Sequence, residues 1–137
     1  MYVSLDLCAG RIVAVRAPRF ATICTIVPYI KIHPGKQEAF KSLCHEFVEL
    51  TRKEPKCLYY GFSFNDDIAF CREGYEDANG VLGHLNNVGP RFPELFNLGD
   101  LIRIEVHGPR EELERLRGPL ADMKPEYFTL EYGFLRG

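Results

Sequence analysis

Between Lys36 and Glu54 the apolar residues Ala39, Phe40, Leu43, Cys44, Phe47 and Val48 recur every three or four positions. Glu38, Lys41, His45, Glu49 and Arg52 fill the gaps, which is the pattern of an amphipathic helix that Pro55 stops. Upstream, Thr22 to Ile32 is rich in β-branched residues and Tyr and predicts a strand, closed by His33-Pro34-Gly35. Downstream the period falls to two. Leu58, Tyr60, Phe62 and Phe64 alternate with Tyr59, Gly61 and Ser63, as in a half-buried strand. Asn65-Asp66-Asp67 supplies hairpin-turn chemistry, and Ile68 to Tyr75 reads as the antiparallel partner.

Asp77 then caps a second helix with Ala78, Val81, Leu82, Leu85 and Val88 on one stripe. Gly89-Pro90 interrupts it, while Phe92, Leu95 and Phe96 continue nearly in phase, so a kinked helix or two short helices fit. Leu101 to His107 is a strand. The order from Thr22 to His107 is β-α-β-β-α-β, the split βαβ of ferredoxin-like α+β domains. A short helix from Pro109 or Arg110 to about Arg117 and a strand from Tyr127 to Phe134 follow. The helix carries only Leu113 and Leu116 for burial and is expected at the surface. Residues 1–20 read as a loosely attached N-terminal extension with a short strand near Arg11–Arg16 that Pro18 ends. Residues 21–137 read as a single domain, with a core over 22–107 and a C-terminal extension over 108–137.

Length and composition narrow the class. The chain has 137 residues, enough for one domain with a real core. A formal net charge of −2 argues against nucleic acid or an anionic membrane as partner. No signal-peptide pattern opens the chain, and its longest uncharged run, Phe20 to Ile30, is half a membrane span. Five widely spaced cysteines fit reduced thiols in a cytoplasmic, soluble protein better than a disulfide framework or a zinc knuckle. The surplus is aromatic, with ten Phe and seven Tyr and no Trp. A sheet with helices on one side must cover its other face, and packing two sheets in a homodimer is the economical solution. The surplus rings then point to an interface and to a pocket for a small planar aromatic molecule.

Candidate chemistry concentrates on two elements. His84 lies on the flank of the second helix, about 60° from its apolar stripe at 100° per residue, suited to a general base or equally to a helix-edge histidine. Asn87 and Arg91 follow on the same flank and suit a pocket mouth. Glu73, Tyr75 and Cys71 share one face of their strand. A two-residue turn at Asp66-Asp67 puts Tyr60 and Phe62 on that face, whereas a three-residue loop puts them with Phe70 and Arg72. The two-residue register is preferred, which makes the expected pocket Tyr60, Phe62, Cys71, Glu73 and Tyr75, with Tyr29 as a further wall. For Glu73 a surface ion pair is the competing role, and for the tyrosines it is core packing. His33, His45 and His107 read as structural. No His, Cys, Asp or Glu spacing suits a metal, and no GxSxG is present.

Thr25-Ile-Val-Pro-Tyr-Ile-Lys-Ile-His-Pro-Gly-Lys36, the helix and Leu58-Tyr-Tyr-Gly-Phe62 resemble the antibiotic biosynthesis monooxygenase family. So does Cys71-Arg-Glu-Gly-Tyr-Glu-Asp-Ala78 followed by Val81-Leu-Gly-His84-Leu85. The resemblance covers Thr22 to His107, and the C-terminal extension is similar to that of larger members. It implies a dimeric α+β barrel with a pocket in each subunit, and catalytic roles for His84 and for Glu73 of the Glu73-Gly74-Tyr75 pattern. It also implies cofactor-independent oxidation of a quinol, anthrone or polycyclic phenol by O₂, with no metal or flavin. The protein would deprotonate the phenol, hold it in a dry slot and stabilise the oxyanion. Without a Trp the chain departs from the haem-degrading branch. The alternatives on the same scaffold are an isomerase or lyase, and a non-catalytic dimeric ligand-binding module.

Overall fold

The computed structural model describes residues 2–6, 11–15 and 21–136. Strands β1 (Tyr2–Asp6) and β2 (Arg11–Val15) form an antiparallel ribbon, where only the second strand was expected. Residues 7–10, with Cys8, and 16–20, with Pro18, lie outside the described residues.

The main sheet is built from β3 (Cys24–Ile32), β4 (Cys57–Asn65), β5 (Ile68–Tyr75), β6 (Gly99–Gly108) and β7 (Glu126–Thr129), in the order β4-β5-β3-β6-β7. Helices α1 (Gln37–Arg52), α2 (Ala78–Val88), α3 (Phe92–Leu98) and α4 (Arg110–Leu116) complete the α+β domain. The elements from β3 to β6 reproduce the ferredoxin-like order. Gly35 at φ 77° makes the turn that follows β3. The Asp77 side chain accepts the Gly80 N–H at 2.9 Å and so starts α2. Between α2 and α3 the chain tightens into a 3-10 turn at Gly89–Arg91, because Pro90 cannot donate a helical hydrogen bond.

One register decides the composition of the site. Asn65 pairs with Ile68, so the hairpin turn has two residues, with Asp66 at φ 51°. Tyr60 then stands opposite Glu73, and Phe62 opposite Cys71. On β3, Pro28 has no N–H for either neighbour although its strand is central. The β3–β6 ladder shifts register just beyond it, between Tyr29 and Ile30.

The C-terminal extension departs from expectation. Leu113, Leu116 and Leu120 are buried in one cluster with Ile26, Val81 and Val106, so α4 belongs to the core and is not a surface helix. Glu112 is buried with them and accepts the Ala78 N–H at 2.9 Å. It thereby satisfies a donor at the α2 N-terminus that has no intrahelical partner. The last strand spans Glu126–Thr129 only, and runs parallel to β6.

Candidate active site

The helix-covered face of the sheet carries Tyr60 and Phe62 from β4, Cys71 and Glu73 from β5, and Ile26 and Pro28 from β3. Together with α2 and α3 these line a narrow slot with a free volume of about 60 Å³. Its walls are almost entirely apolar. The exceptions gather at one end, where α2 delivers His84 against β4 and β5.

His84 is 4% exposed, so it is a core residue and not a helix-edge one. Its ring lies between Tyr60 and Tyr75, with centroids 5.2 and 5.3 Å away. Nδ1 is 2.9 Å from Glu54 Oε2. A carboxylate accepts, so Nδ1 carries hydrogen and donates, which leaves Nε2 free to take a proton in the neutral ring. Nε2 lies 3.6 Å from Glu73 Oε1. That is an ion-pair distance, longer than a good hydrogen bond. An imidazole is thus held between two carboxylates, one orienting it and one facing it across the slot.

Glu73 is 4% exposed and accepts the Tyr75 hydroxyl at 2.8 Å. Burial pushes its pKa above the ordinary carboxylate value. His84, Cys71 and Tyr75 oppose that rise, and the Glu54 charge adds to it. Burial, with the Glu73 charge close by, likewise pushes the Tyr60, Tyr75 and Cys71 groups up. These three are therefore protonated packing groups and not nucleophiles. Glu54 stands just past the end of α1. Its Oε2 also accepts from Asn87 Nδ2 at 2.8 Å, and its buried Oε1 has no hydrogen-bond partner among the described residues.

The expected residues sort into three groups. Tyr60, Phe62, Cys71, Glu73 and His84 line the slot together. Tyr75 and Asn87 stand behind it. Tyr75 holds Glu73, while Asn87 ties Glu54 to the α1 carbonyl of Leu50 at 3.0 Å. Tyr29 and Arg91 are outside the slot, contrary to expectation. Tyr29 alternates onto the opposite sheet face, where it meets Phe70 edge-on with centroids 5.2 Å apart. Arg91 turns outward to Glu94 and Glu46 at 2.6 and 3.1 Å. Glu54 was missed. It reads in sequence as the charged end of a helix before a proline, and only the return of α2 shows its partner. His33 bonds Asn97 and Asp100, and His107 bonds Glu105, both in structural roles.

Among the described residues no group of three or more His, Cys, Asp or Glu is arranged to hold a metal ion. No helix among them is long and apolar enough to cross a membrane.

No protein-family model and no curated protein matches the chain. Solved structures do. MupZ from Pseudomonas fluorescens is 54% identical over 84% of this chain and 95% of its own, with a TM-score of 0.81. A variant of SnoaB, a cofactor-independent oxygenase from Streptomyces nogalater, is 17% identical over 66% of this chain and 95% of its own, with a TM-score of 0.57. A Caulobacter crescentus protein, provisionally assigned as an antibiotic biosynthesis monooxygenase, is 17% identical over 64% of this chain and 89% of its own, also at 0.57. The last two show the fold. They leave about a third of the chain unmatched, more than its first twenty residues account for.

Proposed function

The chain belongs to the same family as MupZ, on the fold of the antibiotic biosynthesis monooxygenases, and from that premise we propose that it is a cofactor-independent enzyme with His84 as general base. The observation that carries this reading is the Glu54–His84 pair. A carboxylate holds Nδ1 at 2.9 Å and turns Nε2 toward an apolar slot, where a neutral imidazole can take a proton. On a monooxygenase-like scaffold the fitting substrate is a phenol, quinol or anthrone. Removal of its proton leaves an electron-rich anion that passes an electron to O₂. Recombination forms a C–O bond, and loss of water leaves the quinone. Tyr60 and Phe62 stand perpendicular with centroids 5.4 Å apart, so together they offer a planar substrate one ring face and one ring edge, and Glu73 on the same wall supplies the proton that a developing oxyanion needs.

A homodimer formed through the helix-free sheet face is part of the same reading. That face presents Tyr29, Phe70 and Tyr59 together with a charged row of Arg103, Glu105 and His107. A cytoplasmic location fits the free thiols of Cys24, Cys44, Cys57 and Cys71.

A second reading, an isomerase or lyase, is favoured by Glu73. A carboxyl whose pKa is raised by burial is a proton donor, and facing a base it suits chemistry that removes one proton and returns another. One experiment separates the two. Hydroquinones and anthrones are incubated with and without O₂ beside wild type and His84→Ala. The oxygenase reading expects O₂-dependent turnover that falls roughly 10²- to 10⁴-fold in the variant. Product formed equally without O₂ selects the isomerase or lyase. A His84→Ala rate equal to wild type sinks both.

A further inference from the structure

The slot is polar at one side of the sheet and apolar everywhere else. Tyr60, Glu73 and His84 mark the β4–β5 side. Ile104 lines the slot from β6, two strands away from Glu73, and Met123 lines it as well, packed against the buried cluster that contains Ile104. Glu73 on β5 pairs with Ile26 and Ile104 on β6 pairs with Pro28, so they stand two strand spacings across the sheet and two residues along it, about 12 Å apart. A substrate whose reacting group meets His84 therefore has roughly that length for the rest of its body before it reaches Met123.

Met123 comes from the C-terminal extension, after the ferredoxin-like core is complete. Its backbone position is fixed from both sides. Leu116 and Leu120 before it are fully buried, and its own N–H donates to the Leu120 carbonyl at 3.0 Å. Lys124 after it adopts φ 51°, a left-handed turn that sends the chain into β7 beside β6. The side chain is half-buried, at the edge between slot and solvent. An unbranched thioether on such an anchored backbone makes an end wall of defined position and adaptable shape.

We propose that Met123 is a specificity-determining residue that sets the depth of the slot, so that the substrate carries one polar reacting group and an apolar body of about 12 Å. This rests on the reading of the slot as the substrate site with His84 at its polar end. It assigns the C-terminal extension a function beyond packing, that of closing the slot opposite the catalytic groups.

Binding of a homologous series from 4-ethylphenol to 4-nonylphenol tests this without needing turnover. In wild type, affinity should rise about fourfold per added methylene and then level off at a break in chain length. Met123→Ala should move the break two or three carbons longer, and Met123→Trp should move it shorter, while Met123→Leu keeps it. Shifts of opposite sign cannot come from damaged folding. If both variants break at the wild-type length with wild-type melting temperatures, Met123 is not the end wall, although the slot reading survives. If no alkylphenol binds wild type, or if affinity ignores chain length, the slot reading fails and the role of Met123 with it.

Discussion

Glu54 Oε2 accepts a hydrogen bond from His84 Nδ1 at 2.9 Å across thirty residues of sequence, joining the end of α1 to the middle of α2. The pair is almost fully enclosed, with the two side chains 10% and 4% exposed. A buried carboxylate on an imidazole stabilises the charge the ring gains when it takes a proton, and fixes the tautomer that lets it do so.

Replacing the acceptor should therefore damage turnover and spare binding. Glu54→Gln keeps the shape but removes the negative charge, and its amide can present a donor to Nδ1. The expected result is a fall in kcat on the order of 10²-fold or more, with KM little changed, because Glu54 does not line the slot. Asn87→Ala leaves the charge and frees its orientation, so its loss should be smaller, about tenfold. Steady-state kinetics on both variants check the order. An Asn87→Ala loss larger than that of Glu54→Gln would place the chemistry elsewhere.

Glu73 makes a prediction about stability and pH. Burial disfavours its charged form, so the folded protein keeps this proton to higher pH than the unfolded chain does. Below the ordinary carboxyl value of 4.5 both states hold the proton and the group contributes no pH dependence. As pH rises above that value the unfolded state releases it first, and stability is lost until the folded-state pKa is passed. Glu73→Gln cannot lose a proton and can still accept the Tyr75 hydroxyl. Its melting temperature should fall less than that of wild type between pH 4.5 and neutrality. Parallel melting curves against pH would show that Glu73 keeps the same pKa in the folded state as in the unfolded chain and overturn the upward shift.

The C-terminal extension should prove integral to folding. Leu116 is fully buried beside Val81 and Val106, and Leu116→Ala should cost about 2–5 kcal/mol. Glu112→Ala orphans the buried Ala78 N–H and should cost about 1–3 kcal/mol, whereas Glu112→Gln keeps an acceptor and should cost less. Chemical denaturation measures all three. A Leu116→Ala cost under 1 kcal/mol would return α4 to the surface.

That helix also marks where sequence reasoning stops. Periodicity located every element from β3 to β6, because each buries one face and shows it as a period of two or of about 3.6. The Asp66-Asp67 turn chose the register that brings Tyr60 opposite Glu73. By contrast, α4 shows only two apolar residues, and its third buried side chain is Glu112, whose burial depends on an N–H 34 residues away. Glu54 escaped for the same reason. Its role depends on a partner from another element, and local pattern carries no sign of that. Arg91 and Tyr29 were misplaced by a related limit. A helical wheel cannot foresee the 3-10 turn at Gly89–Arg91 that swings Arg91 outward, and nothing local to β3 told which of its two faces the slot would use.

The cysteines give a last prediction, which also probes how well the Glu54 end of the site is closed. Burial pushes the Cys24 and Cys44 thiols up to about 12, and Cys71 faces the slot with its thiol raised as well. Cys57 is half-buried. Its thiol is pushed up to about 11, chiefly by burial and then by the charges of Glu54 and Glu73. At pH 8 only about one Cys57 thiol in a thousand would be ionised, against about a quarter of an ordinary free thiol. In a Cys8→Ser background, which removes the thiol outside the described residues, Cys57 should be the first to react with a disulfide reagent. It should nonetheless react at least 10²-fold more slowly than a free thiol, and roughly tenfold faster for each pH unit up to 10. Cys57→Ser should abolish this first phase, and Glu54→Gln should quicken it by removing one of the charges that hold the thiol protonated. A Cys57 that reacts at pH 8 like a free thiol would mean that water reaches the Glu54 carboxylate. An orienting group so exposed would lose most of its hold on His84, because solvent would screen the pair that defines the site.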